Sequence, residues 1–174
     1  MKKVVIIGPE STGKSTLCSQ LADHYKTSWV PEYAREYLLR QGTNYMFNDL
    51  LIIAKQQVAS EDTAIRDNRG DFLFIDTEMN VMKVWCEFVF GRCHSWILNQ
   101  VANREYDMYL LCNIDLPWVA DELREYPDLK SRQILYKMYK DILVNQSVPW
   151  ILIIGNHTGR LQTAISGIDS YFKS

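Results

Sequence analysis

The feature that most constrains this chain is a glycine-rich stretch close to its start. The stretch is GPESTGKS, residues 8–15, and it lies between the apolar run 4–7 and a helical pattern marked by Leu17 and Leu21. A glycine, four residues and Gly-Lys-Ser between a strand and a helix are typical of a phosphate-binding loop. Glycines allow a close backbone approach, so that N–H groups converge on phosphate oxygens at the helix start. The stretch therefore predicts a site for a nucleoside triphosphate.

Two side chains of this loop have distinct chemical roles. Lys14 supplies positive charge for the β- and γ-phosphates of ATP, and Ser15 offers a hydroxyl ligand to Mg²⁺. Ser11 and Thr16 either touch phosphate or cap the helix. ATP and Mg²⁺ are thus the expected cofactors. The expected nucleotide contacts in the loop are Gly8, Glu10, Ser11, Thr12, Gly13, Lys14, Ser15 and Thr16.

Five short apolar runs alternate with longer segments of helical periodicity. The runs cover residues 3–7, 27–30, 71–75, 108–112 and 150–154. The helical segments lie near residues 17–25, 50–65, 77–90, 94–103, 131–146 and 158–172. Short apolar runs bounded by polar residues or glycine are typical of buried strands in a parallel sheet. Because strands that alternate with helices form right-handed βαβ units, the pattern predicts an α/β fold, a three-layer α/β/α sandwich.

Length and composition fit one ordinary globular domain. The 174 residues are 47% apolar and 23% charged, with a net charge of −2, and show no linker or repeat. We expect a single domain over residues 1–174, with a charged, proline-containing lid at 116–131. There is no basic surplus, no apolar run near the roughly 20 residues of a membrane span and no signal peptide. We therefore expect a cytoplasmic protein without a nucleic-acid or membrane partner, and the oligomeric state stays open.

The third apolar run ends in a carboxylate. In DFLFIDTE, Asp76 directly follows four apolar residues, which is the Walker B pattern. Ligands of open α/β sheets bind at the carboxyl ends of the strands. We therefore expect Asp76 to face the phosphate loop and, with Ser15, to hold Mg²⁺ through water. The alternative is that Asp76 only caps the following helix.

The second run is followed by a charged, aromatic stretch, PEYAREYL, in which Pro31 closes the strand. Glu32 would meet an acceptor hydroxyl as a base or hydrogen-bond acceptor. Arg35, three residues on, would reach the acceptor or the transferring phosphate, and Tyr33 supplies aromatic surface. The alternative is the start of an amphipathic helix with solvated charges.

The remaining site candidates lie in the lid and after the fifth run. Arg124 in the lid would stabilise the charge of the transferring phosphoryl group, a role that Lys130 or Arg132 could share, and the alternative is a solvated loop. In GNHTGR, residues 155–160, a glycine turn with Asn156 and His157 would contact the adenine ring. The tryptophans either line an aromatic pocket or pack in the core, and those concerned are Trp85, Trp96 and Trp118.

Several of these stretches resemble the ribosylnicotinamide kinase domain of NadR-type NAD-biosynthesis regulators, a P-loop NTPase family. The resemblance runs from Val4 to about Leu161, and its stretches are GPESTGKSTL, VPEYAREYL, FIDTE followed by VW, YDMYLLC and DLPWVADELR. It implies a P-loop kinase fold with strand order 2-3-1-4-5. It also implies that ATP and Mg²⁺ are used to phosphorylate nicotinamide riboside to its 5′-mononucleotide.

The resemblance also carries residue roles. It implies that Asp76 lies at both the metal and the acceptor. It places Glu32, Tyr33 and Arg35 near the nucleoside, and Trp118, Asp121 and Arg124 in the lid. The HxGH-type motif and helix-turn-helix of such regulators are not found in these residues, so adenylyl transfer is not expected. Two alternatives to this function are a kinase for another nucleoside or nucleotide, and a regulatory ATPase that transfers phosphate only to water.

Overall fold

A five-stranded parallel β-sheet organises the chain, whose computed structural model describes residues 1–173. The strands are β1 (Lys2–Ile7), β2 (Trp29–Val30), β3 (Phe72–Asp76), β4 (Met108–Cys112) and β5 (Trp150–Ile153). Their spatial order is β2-β3-β1-β4-β5, which confirms the α/β fold and the strand order that the resemblance implied. Strand β2 is shorter than the predicted 27–30. The hydroxyls of Thr27 and Ser28 bond Asn68 at 2.9 Å, so these two residues are held by side chains.

Within residues 1–173, seven helices cover the sheet and fill the connections. They are α1 (Lys14–Tyr25), α2 (Tyr33–Gln41), α3 (Phe47–Asp67), α4 (Met79–Phe90), α5 (Ser95–Asn103), α6 (Leu129–Val144) and α7 (His157–Phe172). Helix α2 buries Ala34 and Leu38, so the stretch after β2 is indeed an amphipathic helix. Helix α4 ends at Phe90, and its C-cap, Gly91, has the left-handed conformation that favours glycine there.

The core explains why the strands are uninterrupted apolar runs. Alternate residues of the central strand β1 point to opposite faces, and both faces are covered. On one face Val4 packs in a cluster with Leu21 of α1 and Ile168 of α7. On the other face Val5 packs in a cluster with Leu135 of α6 and neighbouring residues of α4. The three-layer arrangement follows from this double burial.

The strand register brings the functional loops to one edge of the sheet. Ile6 pairs with Asp76, Val30 pairs with Ile75, and Cys112 pairs with Ile153. The strands therefore end within about a residue of one another, and their connections emerge side by side. In the part of the chain that the structure describes, no helix is both long and apolar enough to cross a membrane.

Candidate active site

A cavity of about 210 Å³ opens at the carboxyl edge of the sheet. The phosphate loop forms one wall, and α2, α4, α6 and the lid form the others. The charged side chains that line it are Glu10, Lys14, Glu32, Arg35, Arg124 and Glu125. The aromatic side chains that line it are Trp85, Phe88, Tyr126 and Tyr139. The cavity therefore joins a phosphate site to a mostly apolar chamber.

The phosphate loop is shaped by glycine backbone and by an internal hydrogen bond. Gly8 has a φ of 146°, and a Cβ there would lie 2.7 Å from the carbonyl oxygen of Cys112. Thr12 is buried, and its hydroxyl donates to the carbonyl oxygen of Pro9 at 2.7 Å. Lys14 Nζ donates to the same oxygen at 2.9 Å. Thr12 thus holds the loop from inside, while Lys14 and the more exposed Thr16 line the cavity.

A buried arginine that sequence reasoning did not identify holds the back of this loop. Arg160 is 2% exposed, and its Nη1 donates to the carbonyl oxygen of Thr12 at 2.9 Å. Its Nε donates to Gly155 O at 2.7 Å, its Nη2 donates to Asn113 O at 3.0 Å, and it pairs with the carboxylate of Asp115. The guanidinium thus joins the loop to the ends of β4 and β5. The sequence offered no signal beyond an arginine in GNHTGR.

Asp76 and Ser15 meet beside the phosphate loop. Asp76 is fully buried, and its Oδ2 accepts a hydrogen bond from the hydroxyl of Ser15. Its Oδ1 has no partner among the described residues. Burial and then the nearby carboxylate of Glu32 raise the pKa of Asp76, against the ammonium of Lys14 and the bond from Ser15. A cation here would favour the ionised form.

These two side chains fit Mg²⁺. A carboxylate oxygen without a partner and a hydroxyl oxygen are ligands that this ion takes together with phosphate and water. Over residues 1–173 no group of three or more His, Cys, Asp or Glu side chains could hold a metal. Asp76 does not cap the following helix, because Glu78 caps α4 by accepting a hydrogen bond from Asn80 N at 2.8 Å.

The stretch after β2 divides between the cavity and the core. Glu32 lines the cavity and, although it stands at the N-cap of α2, its carboxylate makes no capping bond. Arg35 also lines the cavity. Tyr33 does not: its ring packs on the cluster between α3 and α4, 6.5 Å from the ring of Tyr37. Tyr33 does, however, line a second pocket beside α2 together with Glu32 and Arg35, and its nucleoside contact stays a prediction.

The lid lies on the phosphate loop. Ser11 Oγ accepts hydrogen bonds from Val119 N at 2.9 Å and Arg124 Nη1 at 3.4 Å. Glu10 Oε2 accepts from the backbone N–H groups of Glu125 and Tyr126, at 3.0 and 3.3 Å. Burial raises the pKa of Glu10, and these two bonds oppose the rise. The side chains of Glu10 and Ser11, which were predicted to contact nucleotide, are thus occupied by the lid in this structure.

A second contact joins the lid to α2. Arg35 Nη2 lies 2.9 Å from Asp121 Oδ2, and Arg35 Nη1 lies 3.3 Å from Asp121 Oδ1. These bonds lower the pKa of the Asp121 carboxyl. The forked geometry fixes the orientation of the guanidinium at the mouth of the cavity.

Among the lid's basic candidates, Arg124 lines the cavity and Arg132 does not. Arg132 is 6% exposed, its Nη2 donates to Leu116 O at 3.3 Å, and its guanidinium lies 5.6 Å from the ring centroid of Trp118. Trp118 therefore packs on the start of α6, outside the cavity in this structure, and its nucleoside contact stays a prediction. Lys130 is exposed and is also absent from the cavity wall.

An aromatic wall faces the phosphate loop across the cavity. The ring centroids of Phe88 and Tyr126 are 5.0 Å apart in a T-shaped arrangement. Trp85 Nε1 donates to Tyr45 OH at 2.8 Å, and Tyr45 OH donates to Glu125 Oε2 at 2.7 Å. Of the tryptophans considered from the sequence, Trp85 lines the cavity, whereas Trp96 packs on the same cluster between α3 and α4 as Tyr33. Phe88 and Tyr126 were not predicted, because an aromatic residue at helical spacing such as Phe88 indicates a core equally well, and nothing in the sequence ties Tyr126 of the lid to this wall.

Asn156 and His157 lie beside the phosphate loop but outside the cavity. Asn156 is the N-cap of α7, and its side chain accepts from Gly159 N at 2.8 Å. His157 is exposed, and its ring lies next to Gly13, where an added Cβ would be 3.6 Å from Cε1. The two residues thus flank an open surface at the start of α1.

Comparison with known proteins gives one family and several relatives. A family model described as "AAA domain" matches residues 3–160. The trifunctional NAD biosynthesis/regulator protein NadR of Salmonella typhimurium is 28% identical over 155 residues, which are 87% of this chain and 38% of the relative. The chain thus spans well under half the length of this curated relative.

Solved structures of NadR share the fold. One in complex with NR has a TM-score of 0.82 at 21% identity, over 99% of this chain and 50% of that chain. Another, in complex with NAD and AMP-PNP, has a TM-score of 0.75 at 20% identity with the same coverage. These matches confirm the resemblance to NadR-type proteins that the sequence motifs indicated.

Proposed function

This chain belongs to the AAA domain family, and on that premise we propose that it is an ATP-dependent kinase that phosphorylates nicotinamide riboside. The observation that carries the proposal is one cavity with Lys14 of the phosphate loop on one side and Glu32 on the other. A phosphoryl donor and a hydroxyl acceptor can meet between these two groups. The name of the Salmonella relative and the NR-bound NadR structure support the choice of substrate.

The donor side is built for the phosphates of ATP. Backbone N–H groups of residues 8–15 and the start of α1 hold the phosphate oxygens, and Lys14 neutralises charge on the β- and γ-phosphates. Ser15 and Asp76 would hold Mg²⁺, which supplies further charge neutralisation at the phosphates when bound. Asn156 and His157 flank the place where the adenine ring would lie, beside the loop and outside the cavity.

The acceptor side supplies a base. Glu32 accepts the proton of the ribose 5′-hydroxyl while the hydroxyl oxygen forms a bond to the γ-phosphorus of ATP. The bond from that phosphorus to the β–γ bridging oxygen breaks, which releases ADP. The guanidinium groups of Arg35 and Arg124 line the same cavity and stabilise the negative charge spread over the transferring group.

The chamber also suits a cationic aromatic ring. Nicotinamide riboside carries a positively charged pyridinium, and the aromatic faces of Trp85, Phe88 and Tyr126 attract such a cation. Glu125 adds a carboxylate to the same wall. A neutral nucleoside base would gain stacking but not the charge interaction. We place the reaction in the cytoplasm, where ATP is supplied.

The test is a nucleoside panel with purified protein, ATP and Mg²⁺. Nicotinamide riboside, adenosine, cytidine, uridine and thymidine are each assayed for ADP formation and for a product heavier by one phosphate. We expect nicotinamide riboside to give the highest kcat/KM. Phosphorylation of another nucleoside alone would overturn the substrate, and ATP hydrolysis unaffected by any nucleoside would favour the regulatory ATPase.

A further inference from the structure

Gln57, in the middle of α3, is a buried amide whose side chain contacts two loops at the edge of the sheet. It is 1% exposed. Its Nε2 donates to the carbonyl oxygens of Pro31 at 3.3 Å and Thr77 at 3.0 Å. Its Oε1 accepts from Tyr33 N at 2.7 Å. One side chain thus makes three hydrogen bonds, all to the backbone of other segments.

Those segments carry the two carboxylates of the site. Pro31 and Tyr33 flank Glu32 on either side, and Thr77 directly follows Asp76. The last ladder pair between these strands is Val30 with Ile75, so the sheet does not tie the residues beyond it together. Gln57 continues the connection between the two segments where the β2–β3 pairing ends.

The backbone at Thr77 is in a conformation that needs support. Its φ is 79°, in the left-handed region that a β-branched residue rarely adopts. Such a conformation persists only where the surroundings hold it. The hydrogen bond from Gln57 to the carbonyl oxygen of Thr77 stabilises this conformation in the residue that directly follows Asp76.

A role in core packing does not explain the three hydrogen bonds of Gln57. A core-filling role alone would be met by an apolar side chain of the same size, yet it would leave the Tyr33 N–H and the Thr77 carbonyl oxygen without this partner.

We propose that Gln57 is a positioning residue that fixes the separation between the acceptor base Glu32 and the metal-side carboxylate Asp76. The catalytic part of this role rests on the proposed kinase function. Misplacing a reacting group by about 1 Å can lower the rate on the order of a hundredfold. The identity of residue 57 should therefore control the rate of phosphoryl transfer more than ATP binding.

The test compares Gln57→Met with Val58→Ala. Methionine keeps the volume and removes the three hydrogen bonds, whereas Val58 is a neighbouring, mostly buried residue of α3 whose truncation only loosens packing. We expect Gln57→Met to lower kcat about 10- to 100-fold with KM for ATP within about threefold of wild type. Val58→Ala should keep kcat within about threefold of wild type, although its Tm should fall about as much as that of Gln57→Met. A kcat for Gln57→Met within threefold of wild type, or an equal loss in Val58→Ala, would overturn the proposal.

A second measurement does not depend on any substrate. The Tyr33 amide donates to Gln57, so its hydrogen exchange, followed by NMR, should be at least about tenfold faster in Gln57→Met than in Val58→Ala. If wild type phosphorylates no nucleoside, the proposed function fails, and this exchange rate still decides whether Gln57 holds the loop. Equal Tyr33 exchange in the two variants would refute the positioning role by itself.

Discussion

Arg160 donates a 2.9 Å hydrogen bond from Nη1 to the carbonyl oxygen of Thr12, so a buried guanidinium of α7 fixes the back of the phosphate loop. Holding this carbonyl on the far side orients the peptide between Thr12 and Gly13, because the peptide unit is planar. The N–H of Gly13 then points the opposite way, toward the loop's interior. The arginine thus prepares the loop for phosphate without touching the cavity.

Arg160→Met should weaken both stability and ATP binding. The change leaves Asp115 and three backbone carbonyl oxygens without their buried partner, and breaking such a pair costs about 3–5 kcal/mol. Urea unfolding measures the stability and calorimetry with an ATP analogue measures the affinity. The control is Lys173→Ala, directly after the end of α7, which removes an exposed ion pair with Asp169. This change should lower the free energy of unfolding by less than about 1 kcal/mol. Equal effects of the two changes would contradict the role of Arg160.

The sheet was predictable because buried parallel strands are continuous apolar runs. Residues 72–75 and 108–112 are apolar throughout and proved to be buried on both faces. The polar contacts were not predictable in the same way. Arg160 and Thr12 are 148 residues apart, and each buried polar group binds backbone atoms whose positions depend on the whole fold. Sequence spacing does not report such partners.

The acceptor side shows a second limit of sequence reasoning. Residue types placed Glu32, Tyr33 and Arg35 together, and these residues line one pocket beside α2, but only Glu32 and Arg35 also line the cavity of the phosphate loop. At about 100° per residue, Tyr33 and Arg35 point about 200° apart, so the ring of Tyr33 packs toward α3 and α4 while Arg35 reaches the cavity. The predicted lid segment, 116–131, overlaps α6, which already begins at Leu129.

Lys14→Ala should reduce turnover to background while the protein stays folded. The ammonium is the loop's point charge for the β- and γ-phosphates, and its only described hydrogen bond is to the carbonyl oxygen of Pro9. ADP release and the thermal unfolding midpoint are the two measurements. Lys140→Ala, on the exposed side of α6, is the matched loss of one lysine and should leave both unchanged. Near-native turnover in Lys14→Ala would refute the phosphate site.

Removal of Mg²⁺ with EDTA should abolish turnover, and excess Mg²⁺ should restore it. Ser15→Ala removes the hydroxyl that meets Asp76 and should raise the Mg²⁺ concentration at half-maximal rate about 10-fold or more. Ser19→Ala, one turn later on α1, should leave this concentration unchanged. An unaltered Mg²⁺ dependence in Ser15→Ala would remove Ser15 from the metal site.

Arg35→Lys should weaken acceptor binding with little loss of stability. A lysine keeps the charge but cannot make the forked contact with Asp121, so the lid and α2 lose a fixed geometry. The Arg35 side chain of this pair is half exposed, so we expect a stability change under about 1 kcal/mol. KM for the nucleoside should rise several-fold. Arg40→Lys, which alters an exposed pair with Glu36 on the same helix, should not change KM.

Glu32→Gln isolates the acceptor step from ATP binding. The substitution keeps size and removes the base, and the loss of a positioned base lowers a rate about 10²- to 10⁴-fold. The carboxylate makes no capping bond to α2, so the substitution removes no hydrogen bond from the helix. Removing it also relieves Asp76 of a nearby negative charge that raises its pKa, which favours the ionised form that binds Mg²⁺. We therefore expect kcat with nucleoside to fall sharply while the affinity for Mg²⁺–ATP stays equal or increases.

The matched control is Glu36→Gln, which changes an exposed carboxylate one turn further along α2. It should leave kcat within about twofold of wild type. A fall in ATP affinity with an unchanged transfer rate would mean that the acceptor does not bind at Glu32.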